Sequence, residues 1–125
     1  MHAPRNLVFL AVLFVFAGVM HFAYPAAYVA ITPSWVPMPF QMVYFTGMAE
    51  IAGGLGLLAK QTRRAAGTGL ILLLIAVFPA NIRMLSTAVT TGAPDFYQLL
   101  LFLRLPLQPL LIVWIYRSAV RSAAR

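Results

Sequence analysis

Cysteine is absent from the 125 residues, and acidic side chains are nearly so: two Asp+Glu stand against nine Lys+Arg. The first absence excludes disulfides, CxxC redox chemistry, thiolate zinc sites and cysteine-held iron–sulfur clusters. Any electron carrier must be something other than a thiol of this chain. Charged residues make up only 9% of the sequence, where a soluble domain has about 25%. That scarcity excludes a water-soluble globular enzyme and a disordered tail. The formal charge of +7 does not point to nucleic acid, because basic residues scattered along an apolar chain make no dense basic face.

Histidine is scarce as well. His2 and His21 flank the first apolar run, so one copy of the chain cannot supply both axial ligands of a haem. One Glu and one His are too few for a metal site. GGLGLLAK lacks the GK[ST] ending of a phosphate-binding loop. No Ser–His–Asp set is in evidence, and no apolar run carries the serial arginines of a voltage sensor.

What the chain has in quantity is hydrocarbon. Hydrophobic residues make up 62%, and mean hydropathy is +0.90. A membrane helix needs about 20 mostly apolar residues. Four stretches qualify, at about 6–22, 40–59, 65–85 and 96–116. The expected fold is therefore all-α: a single domain over 1–125, an integral membrane bundle of four transmembrane helices.

The charges agree on one orientation. Arg5 precedes the first span. Lys60, Arg63 and Arg64 lie between the second and third, and Arg117, Arg121 and Arg125 follow the fourth. The other two connections, Ala23–Pro39 and Ser86–Asp95, hold no Lys or Arg. Positive loops stay cytoplasmic, so both termini are expected inside. Ala23–Ala27 imitates a signal-peptide cleavage site, but the later charge pattern needs an N-terminal crossing and favours a retained span. Pro25, Pro33, Pro37 and Pro39 forbid a long regular helix in the first outer loop. Its Tyr24, Tyr28 and Trp35, with Tyr44, suit an interfacial aromatic belt, an anchor in preference to a lid.

The informative residues are those that lipid penalises. At 1.5 Å per residue, Glu50 lies about 15 Å into the second span and Arg104 about 12 Å into the fourth. An ion pair between them is expected inside the bundle. His21, Thr46, Asn81 and Gln108 fall at compatible heights, with Gln108 one turn from Arg104 and Thr46 one turn from Glu50. Arg83 is expected to snorkel to the headgroups, and Asp95 to be solvated or to cap the fourth helix.

The inner half, by contrast, reads LVFLAVLFVF, GLGLLA, GLILLLI and LLIVWIY. This asymmetry points to a polar pocket opening outward, built from His21, Glu50, Asn81, Arg104 and Gln108. The same residues could instead lock the helices in register. Ala49/Gly53 and Ala52/Gly56 have the small-xxx-small spacing of close helix contacts. Pro79, Pro106 and Pro109 would free carbonyls at Ile75, Phe102 and Leu105, either lining a cavity or simply kinking the helices.

The segments GVMHFAYPAAYVAITPSWVP, TGMAEIAGGLGLL, RRAAGTGLILLLIAVFPANIRM and RLPLQPLLIVWIY resemble, in that order, the DoxX-like family of small bacterial membrane proteins. The resemblance implies a multi-pass protein of the bacterial cytoplasmic membrane, associated with redox chemistry. It also implies a quinone-like or other small ligand in the outer pocket. The chain has no redox group of its own, so electrons would come from a soluble or membrane partner. Homo-oligomerisation, and whether the chain is an enzyme at all, stay open. Two other readings are a non-catalytic scaffold for a membrane complex and a small transporter using Glu50 as its proton site.

Overall fold

A computed structural model of the chain describes residues 4–32 and 34–121. His2, Pro33 and Arg125 lie outside the described residues. The structure is all-helical, with no strand among those residues: α1 (Arg5–Ala23), α2 (Pro25–Ile31), α3 (Pro39–Gly56), α4 (Arg63–Thr90) and α5 (Asp95–Ile115). The chain beyond α5, Tyr116–Arg121, continues with wider π-type turns.

Proline sets most of the boundaries. Pro25 has no N–H to give and biases the residue before it away from the helical region. Tyr24 accordingly leaves the helix at φ −132°, and Pro25 opens α2 at its first position. Pro39 opens α3 in the same way, after Met38 turns the chain with φ 47°. The proline-rich connection thus has no long helix, as its composition requires, but it does hold the short α2.

Pro79, Pro106 and Pro109 sit inside helices that run through them. They do not break α4 and α5. At its far end α4 runs five residues past the expected Leu85. It closes on Gly92 at φ +70°, with Ala93 N–H donating to the Ala88 carbonyl at 2.9 Å and Gly92 N–H to Val89 at 3.3 Å. That pairing is a Schellman closure, and glycine fits its left-handed residue. Pro94 and Asp95 then start α5, with the carboxylate in the first turn where the helix dipole favours it.

α3 packs against α1 on one side and α4 on the other, and α5 packs on α4. The start of α1 meets the segment after α5: Asn6 Nδ2 donates to Ser118 Oγ at 2.7 Å. At this terminal end lies the core, formed by Leu7, Leu10, Phe14, Leu57, Leu70, Leu74, Ile115 and Ala119. The turn after α3 is pinned there as well. Arg63 Nε donates to the Leu57 carbonyl at 2.9 Å, and Thr62 Oγ1 to Gly56 at 2.8 Å. A basic side chain thereby satisfies carbonyls that the end of α3 leaves open.

The tightest seam is α1 on α3. A Cβ at Gly18 would lie 2.5 Å from the Gly47 carbonyl oxygen, and one at Gly54 would lie 2.9 Å from that of Ala11. Small residues let two backbones approach this closely, which favours association through dispersion contacts. The small residues of α3 that meet α1 are thus Gly47 and Gly54, while the glycines of the expected Ala49/Gly53 and Ala52/Gly56 pairs make their close contacts with α4. Gly53 and Gly56 face Leu70 and Ala66 of α4, and Ala52 is exposed.

Among the described residues, three helices are long and apolar enough to cross a membrane: Arg5–Ala23, Arg63–Thr90 and Asp95–Arg121. α3 is not among them, because its 18 residues include Glu50, Gln41, Thr46 and several glycines.

Candidate functional site

Opposite the terminal end, the polar residues gather. His21 of α1, Glu50 of α3, Asn81 of α4 and Gln108 of α5 are exposed by 9%, 8%, 7% and 5%. Each is an expensive residue to bury without partners, so the accounting of partners is informative. His21 Nδ1 lies 2.8 Å from the Ala17 carbonyl oxygen. A carbonyl can only accept, so Nδ1 carries the proton and donates. The other nitrogen, Nε2, is thereby turned toward Glu50 and stands 3.6 Å from Oε1. Glu50 Oε2 is buried and has no hydrogen-bond partner among the described residues.

The partner of Glu50 is thus His21, not Arg104. The expected Glu50–Arg104 ion pair is not formed. Arg104 is exposed, and its Nη1 contacts Met84 Sδ at 3.8 Å. The reason is lateral: the heights are compatible, but α4 packs between α3 and α5. His21 reaches Glu50 because their helices share the glycine seam, where Gly47 lies against the His21 Cβ.

A cavity of about 260 Å³ lies beside this pair. His21, Glu50, Asn81, Arg104, Thr46 and Tyr28 supply its polar wall, and Val36, Val43, Phe45, Leu73 and Val77 are among its apolar lining. Four of the five residues expected to form a pocket therefore do line one. The fifth, Gln108, stands behind it. Asn81 Nδ2 donates to Gln108 Oε1, and Gln108 Nε2 donates to the Leu74 carbonyl at 3.4 Å. Gln108 braces α5 on α4, and lines a smaller apolar cleft with Leu74, Phe78 and Pro109.

Tyr28 belongs to the site, although its sequence context suggests only an interfacial belt. α2 carries it over the cavity, where its ring stacks on His21 with centroids 3.9 Å apart. Burial, followed by the nearby Glu50, pushes the Tyr28 phenol above its usual range, so it stays a hydroxyl donor. Thr32, Trp35 and Val36 of the same connection also line the cavity. The connection is therefore a wall of the site as well as an aromatic surface. The other belt residues do lie outward: Tyr24 and Trp35 are 61% and 74% exposed, and Tyr44 stacks on Phe22. Arg83 and Asp95 are exposed, and Asp95 makes no side-chain cap.

Chemically, the site is an apolar chamber with a few convergent polar groups, the usual make-up of a small-molecule pocket. Its volume is that of about nine liquid waters, enough for a single-ring head group.

The family described as "Domain of unknown function (DUF8561)" matches residues 10–119. The chain belongs to this family. The match covers α2 to α5, all but the start of α1, and every residue of the site. No curated protein and no solved structure matches the chain.

Proposed function

We propose that this DUF8561 protein is a membrane protein of the cytoplasmic membrane that binds a small, polar-headed amphiphile, of quinone-like type, in the cavity beside Glu50. The observation that carries the reading is the Glu50 carboxylate. It is buried, lines a cavity, has a single facing partner at 3.6 Å and keeps one oxygen without any. A buried polar group left in that state costs about 1–3 kcal/mol. A ligand that fills the cavity and bonds the carboxylate recovers that cost.

Membrane residence is supported by the surface. Phe9, Val12, Phe16, Phe45, Met48, Leu72, Phe102 and Leu110 are all exposed, and continuous apolar cover of this kind is not sustained in water. α3 runs along both α1 and α4, which supports its crossing as a fourth span despite its polar residues. With four crossings, the charge rule supports cytoplasmic termini and a cavity in the outer half. The DoxX-like resemblance supports the quinone-like ligand and a redox partner.

The test is native mass spectrometry from mild detergent, with trimethyl-1,4-benzoquinone and trimethylhydroquinone added as probes. Wild-type protein retains a probe at one molecule per chain, and Glu50→Leu retains none. Wild-type protein that retains neither probe, or a Glu50→Leu variant that retains them equally, refutes the reading.

A further inference from the structure

We infer that the cavity selects the hydroxyl form of its ligand over the matching carbonyl form, taking a phenol or hydroquinone head in preference to a quinone. The inference rests on the reading of the cavity as a site for a quinone-like amphiphile, and adds a redox-state preference to it.

The argument is a count of protons. His21 Nδ1 is committed as a donor to Ala17, so only Nε2 faces Glu50 Oε1. If the pair holds one proton on that shared edge, the proton sits on either Nε2 or Oε1. In both arrangements the other carboxylate oxygen has lone pairs and no hydrogen. If the pair holds no proton, that oxygen is again an acceptor; a proton on that oxygen instead would leave Nε2 and Oε1 facing each other as two acceptors at 3.6 Å, so the shared edge is its place. Rotation about the last side-chain bond exchanges the two oxygens without changing the count. With the edge proton in place, a donor toward the cavity needs a second proton, which would bury a net positive charge in the cavity that already holds Arg104.

The wall at Glu50 is therefore an acceptor that lacks a donor. A hydroxyl supplies one. A quinone carbonyl sets two acceptors against each other and leaves both unpaired. An ammonium head also donates, but it would share the cavity with the Arg104 guanidinium. Tyr28 and Arg104 remain as donors for a second oxygen of the same ring, so a dihydroxy or hydroxy–ether head meets complementary groups at both positions.

The test is anaerobic calorimetric titration of the detergent-purified protein with trimethylhydroquinone and with trimethyl-1,4-benzoquinone. The hydroquinone is expected to bind at least about tenfold more tightly, the equivalent of one unpaired buried group. Equal affinity, or tighter binding of the quinone, overturns the inference and leaves the cavity reading standing. Binding of neither overturns both. In Glu50→Gln the amide N–H can donate to Nε2 and its oxygen can face the ligand, so the preference is expected to survive. In Glu50→Leu it is expected to vanish. A folded Glu50→Gln variant without the preference, or a Glu50→Leu variant that keeps it, overturns the inference.

Discussion

Adding one methyl group at Gly18 should separate α1 from α3 and pull the site apart. The Cβ would stand 2.5 Å from the Gly47 carbonyl oxygen and 2.6 Å from Ile51 Cγ1, whereas ordinary contact begins at 3.4 Å. The Ile51 side chain can turn aside, but the Gly47 oxygen is helix backbone. Relief therefore requires the two helices to move by about 0.9 Å. Overpacking of this kind costs about 1–3 kcal/mol. His21 is three residues on from Gly18, so the same motion lengthens the 3.6 Å gap to Glu50.

Gly69→Ala is the matched control, since a Cβ there meets nothing within 4 Å. In a helix interior it should gain about 0.5–1 kcal/mol from backbone propensity. Reversible unfolding in mixed SDS and dodecylmaltoside micelles measures both. Gly18→Ala should lose stability and probe binding together, and Gly69→Ala should gain stability and keep binding. Equal stability of the two variants would refute the glycine seam.

Gly92→Ala, forced to φ +70° at the α4–α5 turn, should cost about 1–2 kcal/mol in the same assay, although nothing crowds the position. Gln108→Leu should cost about 0.6–1.7 kcal/mol, the range for an interhelical hydrogen bond in a membrane. Adding Asn81→Leu should cost less than the sum of the single changes, because the two amides share one bond. A simple sum would mean that they act separately. Arg104→Gln should leave stability within about 0.5 kcal/mol, since the side chain is exposed and unpaired with Glu50; a large loss would restore the discarded ion pair. Trp35 lines the cavity, while Trp114 stacks on Phe9. Ligand should therefore alter fluorescence in wild-type protein and leave a Trp35→Phe variant unchanged.

Depth is legible in the sequence and rotation is not. A rise of 1.5 Å per residue converts position into height, which is why His21, Glu50, Asn81, Arg104 and Gln108 are expected at compatible heights, and the first four do line one cavity. Which face of a helix a residue occupies is read from an apolar stripe. These helices are apolar nearly all round, so no stripe exists to read. Height alone accordingly matches Glu50 to Arg104, two helices away, when its neighbour is His21. The neighbour relation is written in Gly18, Gly47 and Gly54, which only make sense once α1 is laid on α3.

Tyr28 escapes sequence reasoning for another reason. A proline-rich connection reads as irregular, yet Pro25 is well suited to the first position of a helix. The seven residues of α2 are enough to carry Tyr28 back over His21. The break points at Tyr24 and Pro39 follow from local rules, whereas the return of α2 onto the site depends on packing.

The central claim is that a polar cavity at the Glu50 level opens to the outer side of the membrane. The chain has no cysteine, so a single Thr46→Cys substitution on the cavity wall gives a clean report. A membrane-impermeant thiol reagent applied to intact spheroplasts is predicted to label it, and trimethylhydroquinone to slow the labelling. Phe14→Cys, in the core at the terminal end, is predicted to stay unlabelled. Labelling at position 46 only after the membrane is permeabilised, or a rate that the probe leaves untouched, would contradict the account.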